Sequence, residues 1–196
     1  SSLSDLALKK IGIYGGTFDP IHHGHLILAR EAVETLGLDK LIFVPARVSP
    51  DKQRAPFASP ETRLSMLQAA IAGESQFDAN DCELRRAAPS YTIETIEQIR
   101  QREGDCELYC CVGEDNVPAL PNWHRFDELK NMVRFVVLDR SGTESVHGYQ
   151  VVQRKIDISA TEIRKRVASR RSIRYLVPRE VEEIIHRHNL YREALQ

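Results

Sequence analysis

The amino-acid sequence predicts an α/β fold in which helices cover both faces of a doubly wound, mainly parallel sheet. Short apolar runs rich in β-branched residues alternate along the chain with segments of helical periodicity. Connections of that kind return each strand parallel to the one before it. The 196 residues are 42% hydrophobic and 28% charged, an ordinary globular mixture that is long enough to bury a core without disulfides or a structural metal.

The strands are predicted from runs of apolar residues with little helical spacing. Four runs are well defined: Lys10 to Tyr14, Lys40 to Val44, Leu108 to Val112 and Val133 to Leu138. Two weaker candidates are Val151 to Ile158 and Phe77 to Leu84. We therefore expect a sheet of about six strands, as in ordinary domains of this size.

Five segments repeat apolar residues at helical spacing. They are His25 to Leu36, Ser59 to Ile71, Thr92 to Arg102, Ser159 to Ala168 and Pro178 to His188. The second is clearly delimited, because Ser59 is a good N-cap and Pro60 suits the first helical position. We expect one Rossmann-like domain over residues 1–196, ending in a small C-terminal helical subregion from about residue 159.

Charge and cysteine content exclude several classes of protein. The net charge of −1 disfavours a nucleic-acid binder or a basic membrane-surface protein. No stretch approaches the roughly 18 to 20 apolar residues needed to cross a bilayer. Cys82, Cys106, Cys110 and Cys111 have no CxxC spacing, so we expect free thiols in a reducing compartment. The sequence predicts a cytoplasmic protein without nucleic-acid or membrane partners and leaves a homo-oligomer open.

The first predicted strand leads into a glycine-rich turn at the edge of the sheet where ligands of such folds bind. Gly15 and Gly16 let the backbone approach a bulky ligand, and Thr17 adds a hydroxyl donor. The spacing matches neither GxGxxG nor the P-loop. Glycines alone are equally explained by a tight turn, so this feature does not decide the function.

Two histidines follow at the start of the next predicted helix. His22 and His25 would lie at its positive end, where an imidazole can donate to a phosphate oxygen without a metal. The same pair could ligate zinc if further ligands were near, or could be surface residues with a structural role. From the residues alone, all three interpretations stay open.

Two segments together resemble the HxGH nucleotidylyltransferase superfamily. Residues 15–25, GGTFDPIHHGH, resemble its N-terminal signature, and residues 158–164, ISATEIR, resemble its C-terminal ISSTxIR motif. The resemblance implies that His22 and His25 bind ATP phosphates and stabilise the transition state at the α-phosphorus. It also implies that Arg164 holds the leaving pyrophosphate with its planar donors.

Five further segments are similar to the nicotinate-nucleotide adenylyltransferase family. They are Ser90 to Thr95 (SYTxxT), Gly113 to Asp115 (GxD), Asn122 to His124, Arg140 to Gly142 (RxG) and Tyr175 to Tyr191 (YLVPxxV with LY). Pantetheine-phosphate adenylyltransferases and cytidylyltransferases lack this set. The resemblance implies that ATP and nicotinate mononucleotide form deamido-NAD and pyrophosphate, within NAD biosynthesis. Mg2+ is implied as a cofactor that is bound mainly through ATP phosphates, with no protein metal ligands.

The resemblance carries a role over to each matching position. The catalytic residues are His22, His25 and Arg164. The residues at ATP and its phosphates are Gly15, Gly16, Thr17, Phe18, Lys52, Gly113, Asp115, Ser159 and Thr161. The residues at the mononucleotide are Thr92, Trp123 and Arg140, although a single tryptophan is also a common core residue.

Two positions depart from the family pattern. The usual Pro-His-Lys of the long loop at 46–58 is Pro50-Asp51-Lys52 here, and Ala160 replaces a serine of the C-terminal motif. The alternatives are an enzyme that accepts nicotinamide mononucleotide or both mononucleotides, and a nucleotide-binding regulator that has lost catalysis.

Overall fold

The computed structural model describes residues 7–48, 55–143 and 146–193. Within that part of the chain, six strands form one sheet in the order β3-β2-β1-β4-β5-β6, and every pairing is parallel. The strands are β1 (Lys9–Gly16), β2 (Lys40–Pro45), β3 (Phe77–Ala79), β4 (Cys106–Gly113), β5 (Arg134–Asp139) and β6 (Gln150–Gln153). The predicted α/β, Rossmann-like fold is confirmed.

The strand order places a topological switch point between β1 and β4. From β1 the chain builds outward through β2 and β3, and it then returns to lay β4, β5 and β6 on the other side. In the ladders, Tyr14 pairs with Cys111, and Gly16 pairs with Pro45 at the end of β2. The carboxyl ends of these central strands therefore open onto the crevice where ligands of doubly wound sheets bind.

Helices connect the strands. They are α1 (His23–Leu36), α2 (Pro60–Ile71), α3 (Cys82–Arg85), α4 (Thr92–Glu103), α5 (Phe126–Met132), α6 (Ala160–Ala168) and α7 (Arg179–Arg187), with a 3₁₀ segment at Glu114–Asn122. No helix within the described ranges is long and apolar enough to span a membrane. The left-handed Gly37 ends α1, and the Ser59 hydroxyl accepts the Thr62 N–H at the start of α2, as their residue types predict.

Two apolar cores lie on opposite faces of the sheet. Successive strand residues alternate between them, so that Tyr14 belongs to one core and Ile13 to the other. The first core receives α1, α2 and the C-terminal helices, including Ile163 and Val181. The second receives α4 and α5. The four cysteines are free and buried, as predicted.

The structure corrects three details of the predicted elements. The strand predicted at Phe77 to Leu84 ends at Ala79, because the Asn80 side chain accepts the Cys82 N–H at 2.9 Å and turns the chain into α3. The strand predicted to run to Ile158 ends at Gln153. Three further elements were not predicted: α3 and α5 have only four and seven residues, and the 3₁₀ segment contains Pro118 and Pro121, which interrupt a helical pattern.

Candidate active site

The turn after β1 is packed so tightly that two glycines are required. A Cβ on Gly16 would lie 2.9 Å from the Phe18 ring, and a Cβ on Gly24 would lie 2.7 Å from the His22 ring. Phe18 adopts a left-handed φ of 49° and is buried against the rings of Tyr14 and Phe43. These contacts hold the backbone of the turn and the first histidine in one arrangement.

His22 and His25 form a stacked pair at the N-terminus of α1. Their ring centroids are 3.7 Å apart with an interplanar angle of 24°. His22 is the N-cap residue, and its backbone N–H donates to Nδ1 of His25 at 3.1 Å. The Phe18 ring meets His25 edge-on, with centroids 5.0 Å apart. Both imidazoles are therefore held by the helix terminus and by aromatic neighbours.

Both imidazoles are neutral at physiological pH. Burial, and then the charge of Arg140, lowers the pKa of His22 to about 3. The pKa of His25 is well below its usual value, through burial and then the neighbouring His22 and Arg140. Because Nδ1 of neutral His25 accepts a hydrogen bond, its proton lies on Nε2. His25 thus carries a fixed N–H donor without a positive charge.

The histidines open onto a cavity of about 440 Å³. The cavity is lined by Thr17, Phe18, Asp19, His22, His25, Ala55, Pro56, Phe57, Arg140, Ser159, Ala160, Thr161 and Arg164. Arg140 and Arg164 give it two guanidinium groups, whereas Asp19 is its only carboxylate among the described residues. The cavity is therefore suited to an anion, with neutral and charged donors on its walls.

The C-terminal motif reaches this cavity through α6. The Ser159 hydroxyl caps the helix by accepting the Glu162 N–H at 3.1 Å. Arg164 donates from Nη1 to the Asp19 carbonyl at 2.9 Å and from Nη2 to the Thr161 hydroxyl at 3.3 Å. The C-terminal motif thus makes a direct side-chain contact with the β1–α1 turn.

Arg140 follows β5 and enters the same cavity. Its Nη1 donates to the Ile158 carbonyl at 2.8 Å. The buried Asp139 carboxylate fixes the turn beneath it, accepting the Ser141 N–H at 2.9 Å and the Ser141 hydroxyl at 2.7 Å. The loop after β5 therefore presents a positive charge beside the two histidines.

Four of the other predicted site residues are not among the described residues that line this cavity. They lie around the carboxyl end of β4 and the N-terminus of α4. Gly113 ends β4, Asp115 follows in the 3₁₀ segment, and Thr92 is the first residue of α4. Trp123 is half-buried, and its ring meets Phe135 of the second core with centroids 6.2 Å apart. This group is separate from the histidine pair but lies at the same edge of the sheet.

The SYTxxT segment and the tryptophan segment contact each other through one aromatic side chain from each. Tyr91 and His124 stack with ring centroids 4.0 Å apart and an interplanar angle of 21°. Arg86 donates to the Ser90 hydroxyl at 2.8 Å, which holds the start of the segment. The predicted Lys52 and its neighbour Asp51 lie outside the described residues.

Sequence reasoning missed three residues: Asp19, which lines the cavity, and Arg63 and Tyr191, which are not among the described lining residues. Arg63 of α2 is fully buried, Asp19 is 4% exposed, and Tyr191 donates its hydroxyl to the Asp19 carboxylate at 2.7 Å. Asp19 lies inside the recognised GGTFDP segment, which could have drawn attention to it. Nothing in the sequence distinguishes Arg63 from an arginine on an exposed helix face.

The cavity does not resemble a resident metal centre. Among the described residues, no group of three or more histidines, cysteines or carboxylates is placed to hold a metal ion. The Asp19 carboxylate already accepts three hydrogen bonds. The donors on the walls fit a polyphosphate that carries its own cation, and they do not support the zinc interpretation of His22 and His25.

Comparisons with known proteins identify the family of the chain. Residues 13–166 match the cytidylyltransferase-like family. The chain is 44% identical over 187 residues to the probable nicotinate-nucleotide adenylyltransferase of Geobacillus thermodenitrificans, covering 94% of this chain and 87% of that one. It is 35% identical over 187 residues to the nicotinate-nucleotide adenylyltransferase of Bacillus subtilis, covering 94% and 99%.

Solved structures give the same fold. The nicotinic acid mononucleotide adenylyltransferase of Plasmodium falciparum, in complex with NaAD, superposes with a TM-score of 0.75 at 20% sequence identity. The alignment covers 96% of this chain and all of that one (100%). At this identity the likeness concerns the fold, whereas the bacterial relatives carry the family relationship.

Proposed function

The chain belongs to the nicotinate-nucleotide adenylyltransferase family, and we propose that it joins ATP to nicotinate mononucleotide, giving deamido-NAD and pyrophosphate. The observation that carries the proposal is the neutral His22–His25 pair in one cavity with Arg140 and Arg164, at the switch point of the sheet. This arrangement suits nucleotidyl transfer within NAD biosynthesis, because it presents neutral and charged hydrogen-bond donors to the phosphates.

The reaction needs positioning more than it needs a base. The phosphate of the mononucleotide is ionised near neutral pH, so its oxygen can attack the α-phosphorus of ATP directly. That P–O bond forms while the bond to the bridging oxygen of pyrophosphate breaks in line with it. The barrier comes from bringing anions together and from charge on the α-phosphoryl oxygens, which fixed donors stabilise.

The residues of the cavity divide these tasks. We propose that His22 and His25 donate to the α-phosphoryl oxygens as charge develops there, while the turn at Gly15, Gly16 and Thr17 holds the reacting phosphates. Because both imidazoles are neutral, they are not proton donors to the leaving group. Their contribution is a pair of fixed dipoles in a partly buried site.

The C-terminal motif is proposed to hold the leaving pyrophosphate. Arg164, Thr161 and Ser159 line the same cavity, and the guanidinium of Arg164 still has donors beyond the two that bind Asp19 and Thr161. Phe18 lines the cavity and would pack beneath the phosphates, and Lys52 of the long loop would add a positive charge. Arg140 lines the histidine cavity and would meet the mononucleotide phosphate where the two substrates react.

The mononucleotide ring is proposed to bind at the second group of residues. Thr92 begins α4, so its backbone N–H is among the unpaired donors at the helix start and suits a carboxylate. Trp123 offers an aromatic face on the adjoining loop. Gly113 and Asp115 lie at the end of β4, next to the switch point, where they would contact the nucleotide.

We propose that Mg2+ enters with ATP, held by phosphate oxygens and water. The metal would neutralise triphosphate charge. The described residues fit that arrangement, because the cavity has cationic and neutral donors and its single carboxylate is occupied. Four buried free cysteines further support a reducing, cytoplasmic setting. We also propose that residues 1–196 act as one domain, since the C-terminal helices share a core with α1 and α2.

Parallel assays with the two mononucleotides test this function. With saturating ATP and Mg2+, pyrophosphate release should show kcat/KM for nicotinate mononucleotide at least tenfold above that for nicotinamide mononucleotide. A preference for the amide would replace the substrate assignment with the amide-specific alternative. Tight ATP binding without pyrophosphate release from either substrate would support the non-catalytic regulator.

A further inference from the structure

The buried guanidinium of Arg63 hydrogen-bonds to both ends of the long β2–α2 loop and to the turn after β1. Arg63 uses four of its five N–H groups, all on main-chain carbonyls. From Nη1 it donates to Thr17 at 2.8 Å and Ala46 at 2.6 Å; from Nη2 it donates to Arg47 at 3.1 Å, and from Nε to Ala58 at 3.2 Å. These carbonyls belong to the turn after β1 and to both ends of the β2–α2 loop.

The Asp19 carboxylate holds the far end of the same loop from the other side. It accepts the backbone N–H of Phe57 at 2.7 Å and that of Ala58 at 3.1 Å. Ala58 is therefore held at both its N–H, by Asp19, and its carbonyl, by Arg63. The third donor to this carboxylate is the buried hydroxyl of Tyr191, at 2.7 Å.

Asp19 is also hydrogen-bonded to Arg164, the arginine that is proposed to hold the pyrophosphate. The main-chain carbonyl of Asp19 accepts from Arg164, whose guanidinium lies 4.6 Å over the Phe57 ring. Ala55, Pro56 and Phe57 line the cavity beside that guanidinium. A displacement of the loop end would therefore move both a cavity wall and the contacts of Arg164.

We propose that Asp19 and Arg63, supported by Tyr191, are positioning residues that set the two described ends of the β2–α2 loop and Arg164 relative to the turn after β1. This inference rests on the proposed adenylyl transfer, because its effect is on that reaction. Neither side chain has to touch substrate. Asp19 acts through Phe57, Ala58 and Arg164, and Arg63 acts through the carbonyls that it holds.

The geometry also explains why an arginine is required at position 63. Its planar fork reaches carbonyls from three segments at once, whereas a lysine ammonium at the end of a flexible stem could satisfy only some of them. A buried carbonyl that loses its donor is strongly unfavourable, so the loop ends would shift to find other partners. The charge alone is not sufficient for this role.

The test compares Arg63→Lys and Tyr191→Phe with two matched controls. Ser65→Ala changes an exposed residue of the same helix, and Tyr175→Phe removes a hydroxyl from an exposed tyrosine. Each full-length variant is assayed for kcat and KM with ATP and nicotinate mononucleotide, well below its own Tm. Binding of α,β-methylene-ATP is measured in parallel.

We expect kcat to fall about 3- to 10-fold in Tyr191→Phe, the range that one lost hydrogen bond supports, and at least 30-fold in Arg63→Lys. The Kd of the analogue should change less than threefold, because the binding donors remain. Both controls should match the wild type. A residue with a purely structural role would lower Tm without changing kcat of the folded enzyme.

Wild-type kcat in the folded Arg63→Lys and Tyr191→Phe variants would overturn the proposal. If Arg63→Lys does not fold, Tyr191→Phe decides alone. A wild-type enzyme that forms no deamido-NAD would instead refute the proposed function itself.

Discussion

Replacing His25 with asparagine should separate its two roles. One is to accept the His22 N–H at Nδ1, and the other is to donate from Nε2 to the substrate. An asparagine carbonyl can occupy the position of Nδ1 and accept the His22 N–H, which spans 3.1 Å in the native structure. The same side chain is too short to place a donor where Nε2–H is. Helix capping should therefore survive, at a loss of about 1 kcal/mol or less, while the donor to the α-phosphoryl oxygens disappears.

The magnitude follows from the role of that donor. A fixed donor that acts mainly in the transition state is worth on the order of 10²- to 10³-fold in kcat, or about 3 to 4 kcal/mol. We expect His25→Asn to lower kcat by this factor, with the Kd of α,β-methylene-ATP changing less than threefold. Pyrophosphate release at saturating substrates measures the first quantity, and calorimetry measures the second.

The opposite pattern would refute this reasoning. If His25→Asn keeps turnover within fivefold of the wild type, the imidazole Nε2–H does not stabilise the transition state. If the Kd of the analogue rises while kcat is unchanged, His25 contributes equally to ground-state and transition-state binding, and its proposed role is wrong. Thermal unfolding of the variant checks that the measured enzyme is folded.

Three further outcomes are expected. Gly24→Ala should lower kcat at least tenfold, because its Cβ would lie 2.7 Å from the His22 ring, whereas Gly148→Ala meets nothing within 4 Å and should be neutral. The free energy of unfolding should fall as pH drops below about 6.5, because folding lowers the pKa of His22 to about 3 while the unfolded chain takes up the proton. Urea unfolding at pH 5 should show a loss of about 2 kcal/mol in this free energy through His22. The His22→Gln variant should lack that component. EDTA should abolish pyrophosphate release and added Mg2+ should restore it; full activity in EDTA would contradict a metal that enters with ATP.

The main features of the fold could be predicted because local pattern and global fold agree. Alternating apolar strands and periodic helices indicated the doubly wound sheet, and Ser59 and Gly37 marked helix ends that the structure reproduces. The errors lie where the signal is short. Asn80 turns the chain after three strand residues, and neither its side-chain hydrogen bond nor α3 leaves a periodic trace in the sequence.

The candidate active site, like the fold, could be predicted from the sequence only in part. His22, His25 and Arg164 could be expected to meet because their motifs resemble known ones, and the structure brings them to one cavity. Their protonation could not be read from the sequence, since it depends on burial and on the approach of Arg140. The burial of Arg63 could not be predicted from the sequence either, because the four carbonyls that it binds come from segments far apart in the chain.

The central claim is direct transfer of the adenylyl group within a site built from neutral donors and guanidinium groups. The most direct test uses ATP with one α-phosphoryl oxygen replaced by sulfur in a single configuration, together with nicotinate mononucleotide. A single in-line displacement predicts thio-substituted deamido-NAD with inverted configuration at phosphorus. Retention of configuration, which requires two successive displacements and hence a covalent enzyme intermediate, would contradict the account.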